Sequence, residues 1–263
     1  MAQLVAQLIC NHQVAGSSPA AGSIFFLHFF TFMENIFVRN SYIRSWHSSC
    51  EDFAPFLGKL FSGVLENCPD IYHTKHKECR LVSREISGAS YPVVVKRYFE
   101  KRFFRYLFRP SLAYREYCGF KLAADAGIPA ARVVALGEVR SGVRLKEAFF
   151  ITEYLEDYRN GHEFTLPGCD EKLKDEFIRI NLLLLAKLHA AGLVHGGFHP
   201  RNELFRINSD GAMEVVWIDL ATVIPIGRSR RFSPENDIER FLSEFALPAE
   251  KKAGYCDIYR NNL

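Results

Sequence analysis

His195-Gly196-Gly197-Phe198-His199-Pro200-Arg201-Asn202, followed after a short hairpin by Glu214-Val215-Val216-Trp217-Ile218-Asp219, is the stretch whose reading decides the fold. It is a polar loop, then a strand that ends in an acid. Immediately before it, Glu171 to Ala191 carries apolar residues at nearly every helical position of FIRINLLLLAKLHAA, and Gly192 is a stop signal. The spacing predicts a long, largely buried helix there. After the loop the hairpin turns at Asn208 to Gly211. A final helix is expected from the Ser233-Pro234 start through Asp237 to Phe245.

Moving upstream, the pattern becomes strand-like. Three β-rich runs fit between Ile71 and Tyr98, broken at His73 to Glu78 and at Ser87 to Ser90, which predicts an antiparallel meander. Its last run, Val93-Val94-Val95-Lys96, is a buried-strand pattern ending in lysine. Tyr114 to Ala126 reads as a helix closed by Gly127 and followed by Pro129. Val133 to Gly137 and Ala148 to Tyr154 give further strands. Strands with one helix, then a helix-dominated half, is the order of an α+β protein with two lobes. The expected division is an N-terminal lobe over 33–153 and a helical C-terminal lobe over 154–263, joined at Tyr154 to Asp157.

The bulk numbers narrow the class without choosing the chemistry. Over 263 residues, 24% charged and 48% hydrophobic composition describes an ordinary globular protein, neither disordered nor a membrane bundle. A net charge of +3 is too small to name a partner, so local clustering matters more. Seven cysteines with no CxxC pair argue against a disulfide framework and for a reducing compartment. Cys68, His73, His76 and Cys79 are zinc-type ligands, but their spacing fits no zinc motif, and the favoured reading is polar residues around a hairpin.

Residues 1–32 contain no Lys, Arg, Asp or Glu, and normal mixed composition starts at Met33. The run Ile24 to Phe32 is too short to span a bilayer and lacks the positive flank of a secretory signal. The leader is similar to a transfer-RNA gene read as coding sequence, whose T-arm translates as Gly-Ser-x-Pro, the reading of Gly16 to Pro19. The expectation is a non-native leader with the true start at Met33. A short membrane-associating leader is the alternative.

Four positions line up in an order that carries phosphoryl-transfer chemistry. A strand lysine that holds nucleotide phosphates, a helix glutamate that orients it, then an asparagine and an aspartate that hold magnesium, is the order such catalysis uses. Lys96, Glu116, Asn202 and Asp219 occur in that order on those element types. The loop His195 to Asn202 is similar to the H-G-D-x-x-x-x-N catalytic loop of small-molecule kinases, and Ile218-Asp219-Leu220-Ala221 resembles their metal motif. The segment SLAYREYCGFKLAADAGIPAARVVALG, from Ser111 to Gly137, resembles the lipopolysaccharide-core kinases of the heptose and 3-deoxy-manno-octulosonate (Kdo) type, over about Lys59 to Phe245.

That resemblance implies a protein-kinase-like two-lobed fold, with a small antiparallel-sheet N-terminal lobe and a mainly helical C-terminal lobe. It implies ATP and Mg2+ as cofactors, with Lys96 on the ATP phosphates and Glu116 orienting Lys96. Glu153, Tyr154 and Leu155 would line the adenine site, Asn202 and Asp219 would hold magnesium, and His195 would brace the loop. A sugar hydroxyl of the lipopolysaccharide core glycolipid would be the acceptor, at the cytoplasmic face of a bacterial inner membrane.

The chain departs from the family pattern in two places. Gly197 stands where the loop should carry an aspartate facing the acceptor hydroxyl. His199 could serve as base instead, or be a structural loop histidine. His73 to Lys77 replaces the glycine-rich phosphate loop, and Lys75 and Lys77 could hold phosphates by charge or simply be solvated. The segment Lys96 to Arg109 holds six Lys or Arg residues interleaved with aromatics, which suits an anionic glycolipid or membrane surface. No nucleic-acid recognition motif accompanies it. Two other readings stay open: a pseudokinase that binds nucleotide or glycolipid without transfer, and a phosphotransferase for a soluble molecule of the aminoglycoside or fructosamine type.

Overall fold

A computed structural model describes residues 35–38, 41–48, 70–73, 77–86, 89–99, 106, 110–141 and 144–263. They form two compact units. One holds the described residues up to Tyr114 together with Val133–Glu153, and the other holds Arg115–Arg132 with Tyr154–Leu263. The candidate zinc residues Cys68 and His76, and the leader over 1–32, lie outside the described residues.

The first unit is an antiparallel sheet. Its strands are β1 (Asn35–Val38), β2 (Ser41–Ser48), β3 (Asp70–His73), β4 (Lys77–Ile86), β5 (Ala89–Phe99), β6 (Val133–Ser141) and β7 (Arg144–Glu153). Their order across the sheet is β1-β2-β6-β7-β5-β4-β3. The expected meander is the β3-β4-β5 edge, and the hairpin β1-β2 extends the opposite edge. Burial explains why the centre is β5 and β7. Val93 and Val95 are buried, and Ala148, Phe149, Phe150 and Ile151 of β7 are at most 1% exposed. A strand this apolar on successive residues has both faces covered.

Lys96 corrects one expectation. β5 does not end there but runs three residues further to Phe99, with Lys96 opposite Cys79 of β4 and Phe150 of β7. The strand continues because its backbone stays paired with β4 to Tyr98 and with β7 to Phe99, and Arg97 is ion-paired to Glu78 and Glu147.

The helices are α1 (Leu112–Asp125), which belongs to the second unit from Arg115 on, and α2 (Glu171–Ala190), α3 (Pro234–Ser243) and α4 (Ala249–Arg260), wholly in that unit. Asp170 starts α2 by accepting hydrogen bonds from the N–H groups of Lys172 and Leu173, and Gly192 leaves it with φ +76°. The helix buries Phe177, Ile178, Asn181, Leu182, Leu185, Ala186, Leu188 and His189, yet Arg179, Leu183 and Lys187 at four-residue spacing face outward. It is therefore buried along one broad face rather than all round.

A final helix at Ser233 to Phe245 was expected to close the chain, but α4 follows it. Tyr255 donates to Asp175 at 2.6 Å and the Tyr259 hydroxyl meets His189 Nδ1 at 2.7 Å, so α4 is fastened to α2 by two tyrosines one turn apart. Its apolar pattern is otherwise sparse, which is why periodicity did not reveal it.

The hairpin strand β10 (Glu203–Ile207) pairs on one side with β11 (Met213–Trp217) and on the other with the short β8 (Arg159–Asn160). β9 (Leu193–Val194) pairs with β12 (Ile224–Pro225) on either side of the candidate loop. Trp217 N–H donates to the Pro129 carbonyl at 2.9 Å and its own carbonyl accepts from Ala131 at 3.3 Å. The Gly-Ile-Pro turn after α1 is thus stitched to the strand that leads into Asp219. Among the described residues no helix is long and apolar enough to cross a membrane.

Candidate active site

The loop His195 to Asn202 is held from behind by α3. Asp237, 2% exposed, accepts the N–H of His195 at 2.7 Å and the N–H of Gly196 at 2.9 Å. His189 of α2 meets the same carboxylate at 3.3 Å and is itself bonded to Tyr259. Three helices therefore converge on one carboxylate that fixes the loop backbone. The sequence carried a signal for this: Asp237 and Phe241 are four apart on the buried stripe of α3, where an acid has no place without polar partners.

The imidazole of His195 does something other than hydrogen-bond. Both ring nitrogens are buried without a hydrogen-bond partner, and the ring packs against Phe198 and Trp217 at centroid distances of 5.3 and 5.5 Å. Burial lowers its pKa to about 4, with the charges of Asp237 and Asp219 pulling the other way. It is a neutral aromatic plug. The loop bracing expected of this residue is done by its backbone N–H.

His199 closes the other end of the loop. Its Nδ1 accepts the N–H of Arg201 at 3.2 Å, capping the 3-10 turn Pro200–Asn202, and its Nε2 lies 3.0 Å from Glu244. Both ring nitrogens are thereby engaged. Burial lowers its pKa, as do Arg201, Arg240 and His162, against the opposing pull of Glu244. Behind it Glu203 is fully buried, accepts the His199 N–H at 3.4 Å, and is pushed by burial well above the usual carboxylate range.

Asn202 donates Nδ2–H to the Gly197 carbonyl at 3.3 Å, which leaves its carboxamide oxygen as the atom to meet a cation. Its backbone carbonyl accepts the N–H of Ile218 at 2.7 Å, so Asp219 begins one residue from the Asn202 main chain. Among the described non-glycine residues, Asp219 alone has a positive φ, at 60°. A left-handed aspartate is uncommon, and such strain clusters at functional positions. The oxygens of Asn202 and Asp219 fit magnesium, which takes hard donors and binds through one or two protein groups plus substrate phosphates. Among the described residues no three His, Cys, Asp or Glu side chains gather as a closed metal cage.

Glu116 is fully buried on α1. One turn on, the same helix face presents Gly119, where a Cβ would stand 1.8 Å from the Leu220 carbonyl oxygen. Only glycine lets α1 approach the segment after Asp219 so closely, and Glu116 rides on that approach.

The remaining expected residues are distributed as follows. Lys96 is buried at 9% exposure in the centre of the sheet. Lys77 opens β4 with its Nζ 5.6 Å over the Tyr98 ring, and Lys75 lies outside the described residues. Glu153 ends β7, while Tyr154 and Leu155 begin the second unit. Of the basic segment, Lys96 is buried and Arg97 is ion-paired, so neither faces an anionic surface; Tyr106 is buried, and the other residues from 100 to 109 lie outside the described residues.

A different basic cluster went unread in the sequence. Arg228, Arg230 and Arg231 are exposed, and among the described residues none forms an ion pair. Their segment is fixed at both ends. The Ile226 N–H donates to Gly192, Ser229 Oγ accepts from Arg231, and a Cβ on Gly196 would strike the Phe232 ring at 2.7 Å.

An antiparallel sheet with a buried central lysine, and a mainly helical unit presenting a histidine-to-asparagine loop and a strand-end aspartate, define the protein-kinase-like class. Within it, the family model described as Lipopolysaccharide kinase (Kdo/WaaP) family matches residues 94–258, and the chain belongs to that family of phosphotransferases. The match starts later than the resemblance in sequence suggested and runs on into α4. Among solved structures the chain is similar to one described as WaaP in complex with acyl carrier protein, with a TM-score of 0.58 and 17% identity, over 83% of this chain and 89% of that one. No curated protein matches the sequence.

Proposed function

We propose that this chain is an ATP- and magnesium-dependent kinase that phosphorylates a sugar hydroxyl, on heptose or Kdo, of the lipopolysaccharide inner core at the cytoplasmic face of a bacterial inner membrane. The observation that carries the reading is Asp219. It sits in a left-handed conformation two residues past β11, next to the residue whose N–H bonds to Asn202, and Asn202 closes the loop that Asp237 clamps. Phosphoryl transfer through a loose transition state asks a protein chiefly to position groups and neutralise charge, and a rigid loop with two oxygen donors serves that need.

In this reading Lys96 holds the ATP phosphates, Glu116 orients Lys96, and Glu153, Tyr154 and Leu155 line the adenine site. Lys77, with Lys75, adds positive charge near the phosphates. Asn202 and Asp219 hold magnesium, which when bound offsets negative charge on the transferred phosphoryl group. His199 acts as the brace of the loop's second half, because both its nitrogens are already bonded. Arg228, Arg230 and Arg231 support an anionic acceptor, since exposed guanidinium groups with no ion pair among the described residues suit phosphate or carboxylate. Membrane contact through the basic segment rests on Lys101, Arg102, Arg105 and Arg109.

The test is transfer of labelled γ-phosphate from ATP to phosphatase-treated core lipopolysaccharide. Magnesium-dependent labelling that disappears in Asp219→Asn is the expected result. Gly197 favours a second reading, a nucleotide-binding module without transfer. That reading requires ATP binding by the parent chain with no labelling above the Asp219→Asn background.

A further inference from the structure

Gly197 leaves a gap in chemistry but not in space. A Cβ built on Gly197 would lie 3.0 Å from Thr222 Oγ1 and 3.9 Å from His195 Nδ1. The Thr222 hydroxyl therefore already stands at the edge of the volume that a side chain at 197 would enter. Among the described residues this hydroxyl makes no hydrogen bond, although it is only half-buried. Its place is well determined. The Val223 N–H donates to the Leu220 carbonyl at 3.1 Å, closing a tight turn, and Leu220 and Val223 on either side are buried. Ile224 and Pro225 then pair with Val194 and Leu193, the two residues that lead into the loop. The chain thus carries Thr222 from Asp219 to the loop's base within a few residues, and aims a hydroxyl where the family's aspartate would project.

We propose that Thr222 Oγ1 takes over the alignment of the acceptor hydroxyl that the aspartate provides elsewhere in the family; the inference rests on the kinase reading above. The hydroxyl accepts a hydrogen bond from the acceptor O–H and turns its lone pair toward the γ-phosphorus. The acceptor O–P bond forms while the bond from phosphorus to the β,γ-bridging oxygen breaks, and that electron pair leaves on ADP. A threonine does not keep the proton. In a loose transition state the acceptor proton departs late, to a non-bridging oxygen of the transferred phosphoryl group. Thr222 therefore orients without acting as a base, and it adds no ionisation of its own to the pH dependence of the rate.

Thr222→Val keeps the shape and removes the hydroxyl, and Thr222→Ser keeps the hydroxyl. In the labelling assay with phosphatase-treated core lipopolysaccharide, Thr222→Val should lower kcat about tenfold, the scale of one aligned neutral hydrogen bond. KM for ATP should stay unchanged, and Thr222→Ser should recover to within about threefold of the parent. A Thr222→Val rate within twofold of the parent, while Asp219→Asn is inactive, overturns the inference and leaves the kinase reading standing. A parent chain with no transfer overturns both. A second arm is independent of how well the valine variant folds. Gly197→Asp alone is crowded by Thr222 Oγ1, so the Gly197→Asp, Thr222→Ala pair should be the more active and should gain an acid limb in its kcat profile that the parent lacks. Equal rates for the single and double variants contradict the proposal.

Discussion

The two halves of the loop from His195 to Asn202 are immobilised by opposite means. In the first half the backbone is the ligand: Asp237 of α3 takes two successive N–H groups, and the His195 ring is left over as packing. In the second half the side chain does the holding, with His199 capping its own turn and reaching Glu244 just beyond α3. Gly197 and Phe198 lie between, and Phe198 is completely buried. The first half is held through backbone N–H groups on a buried carboxylate and the second chiefly through a partly solvated imidazole. They should fail differently.

Asp237→Ala should have the largest effect on stability. It strands one buried and one part-buried N–H group and the His189 contact, a loss of at least about 3 kcal/mol, seen as a much lower denaturant midpoint with transfer abolished. A near-parental midpoint would mean that the first half is held by packing alone.

The pH dependence of stability should come next. The His195 pKa is lowered to about 4 from an ordinary 6.5. The unfolded chain therefore takes up a proton below pH 6.5 that the folded chain refuses until about pH 4. Its contribution is intact above pH 6.5 and is lost as pH falls through that window, by up to about 3 kcal/mol. Asp237 and Asp219 act against this and His189 acts with it. His195→Phe, placed in the same aromatic cluster, should flatten the acid loss measured by denaturant unfolding at pH 7 and pH 5. An unchanged slope would show that the ring is not the titrating group.

His199→Ala should have the smallest effect. One cap bond and one partly exposed ion pair are together worth about 1 kcal/mol, and transfer should fall by less than about threefold. A loss of about a hundredfold or more, the scale of general-base catalysis, would make His199 the base.

What could be read in the sequence follows the same division. Long periodic segments were legible: α1, α2, the meander and the strand into Asp219 fall where spacing put them, because each buries a regular face. Lys96, Glu116, Asn202 and Asp219, the residues proposed for a nucleotide and a cation, stood out in the sequence because phosphoryl transfer needs Lys, Glu, Asn and Asp in one order. The clamp was not. Asp237, Tyr259 and His189 are far apart in the chain, and their meeting is created by packing of α3 and α4 on α2. The hairpin β1-β2 and the extension of β5 through Phe99 also depend on pairing partners elsewhere in the sheet. Thr222 was invisible for another reason: only its distance from Gly197 distinguishes it from any other threonine.

The central claim is that Asp219 and its loop make a working phosphotransferase despite Gly197. Labelled phosphate transfer from ATP to phosphatase-treated core lipopolysaccharide, compared between the parent chain and Asp219→Asn, tests it most directly. The account predicts magnesium-dependent labelling by the parent and at least about a thousandfold less by the variant. Equal labelling by both, or none by a folded, ATP-binding parent, would contradict it.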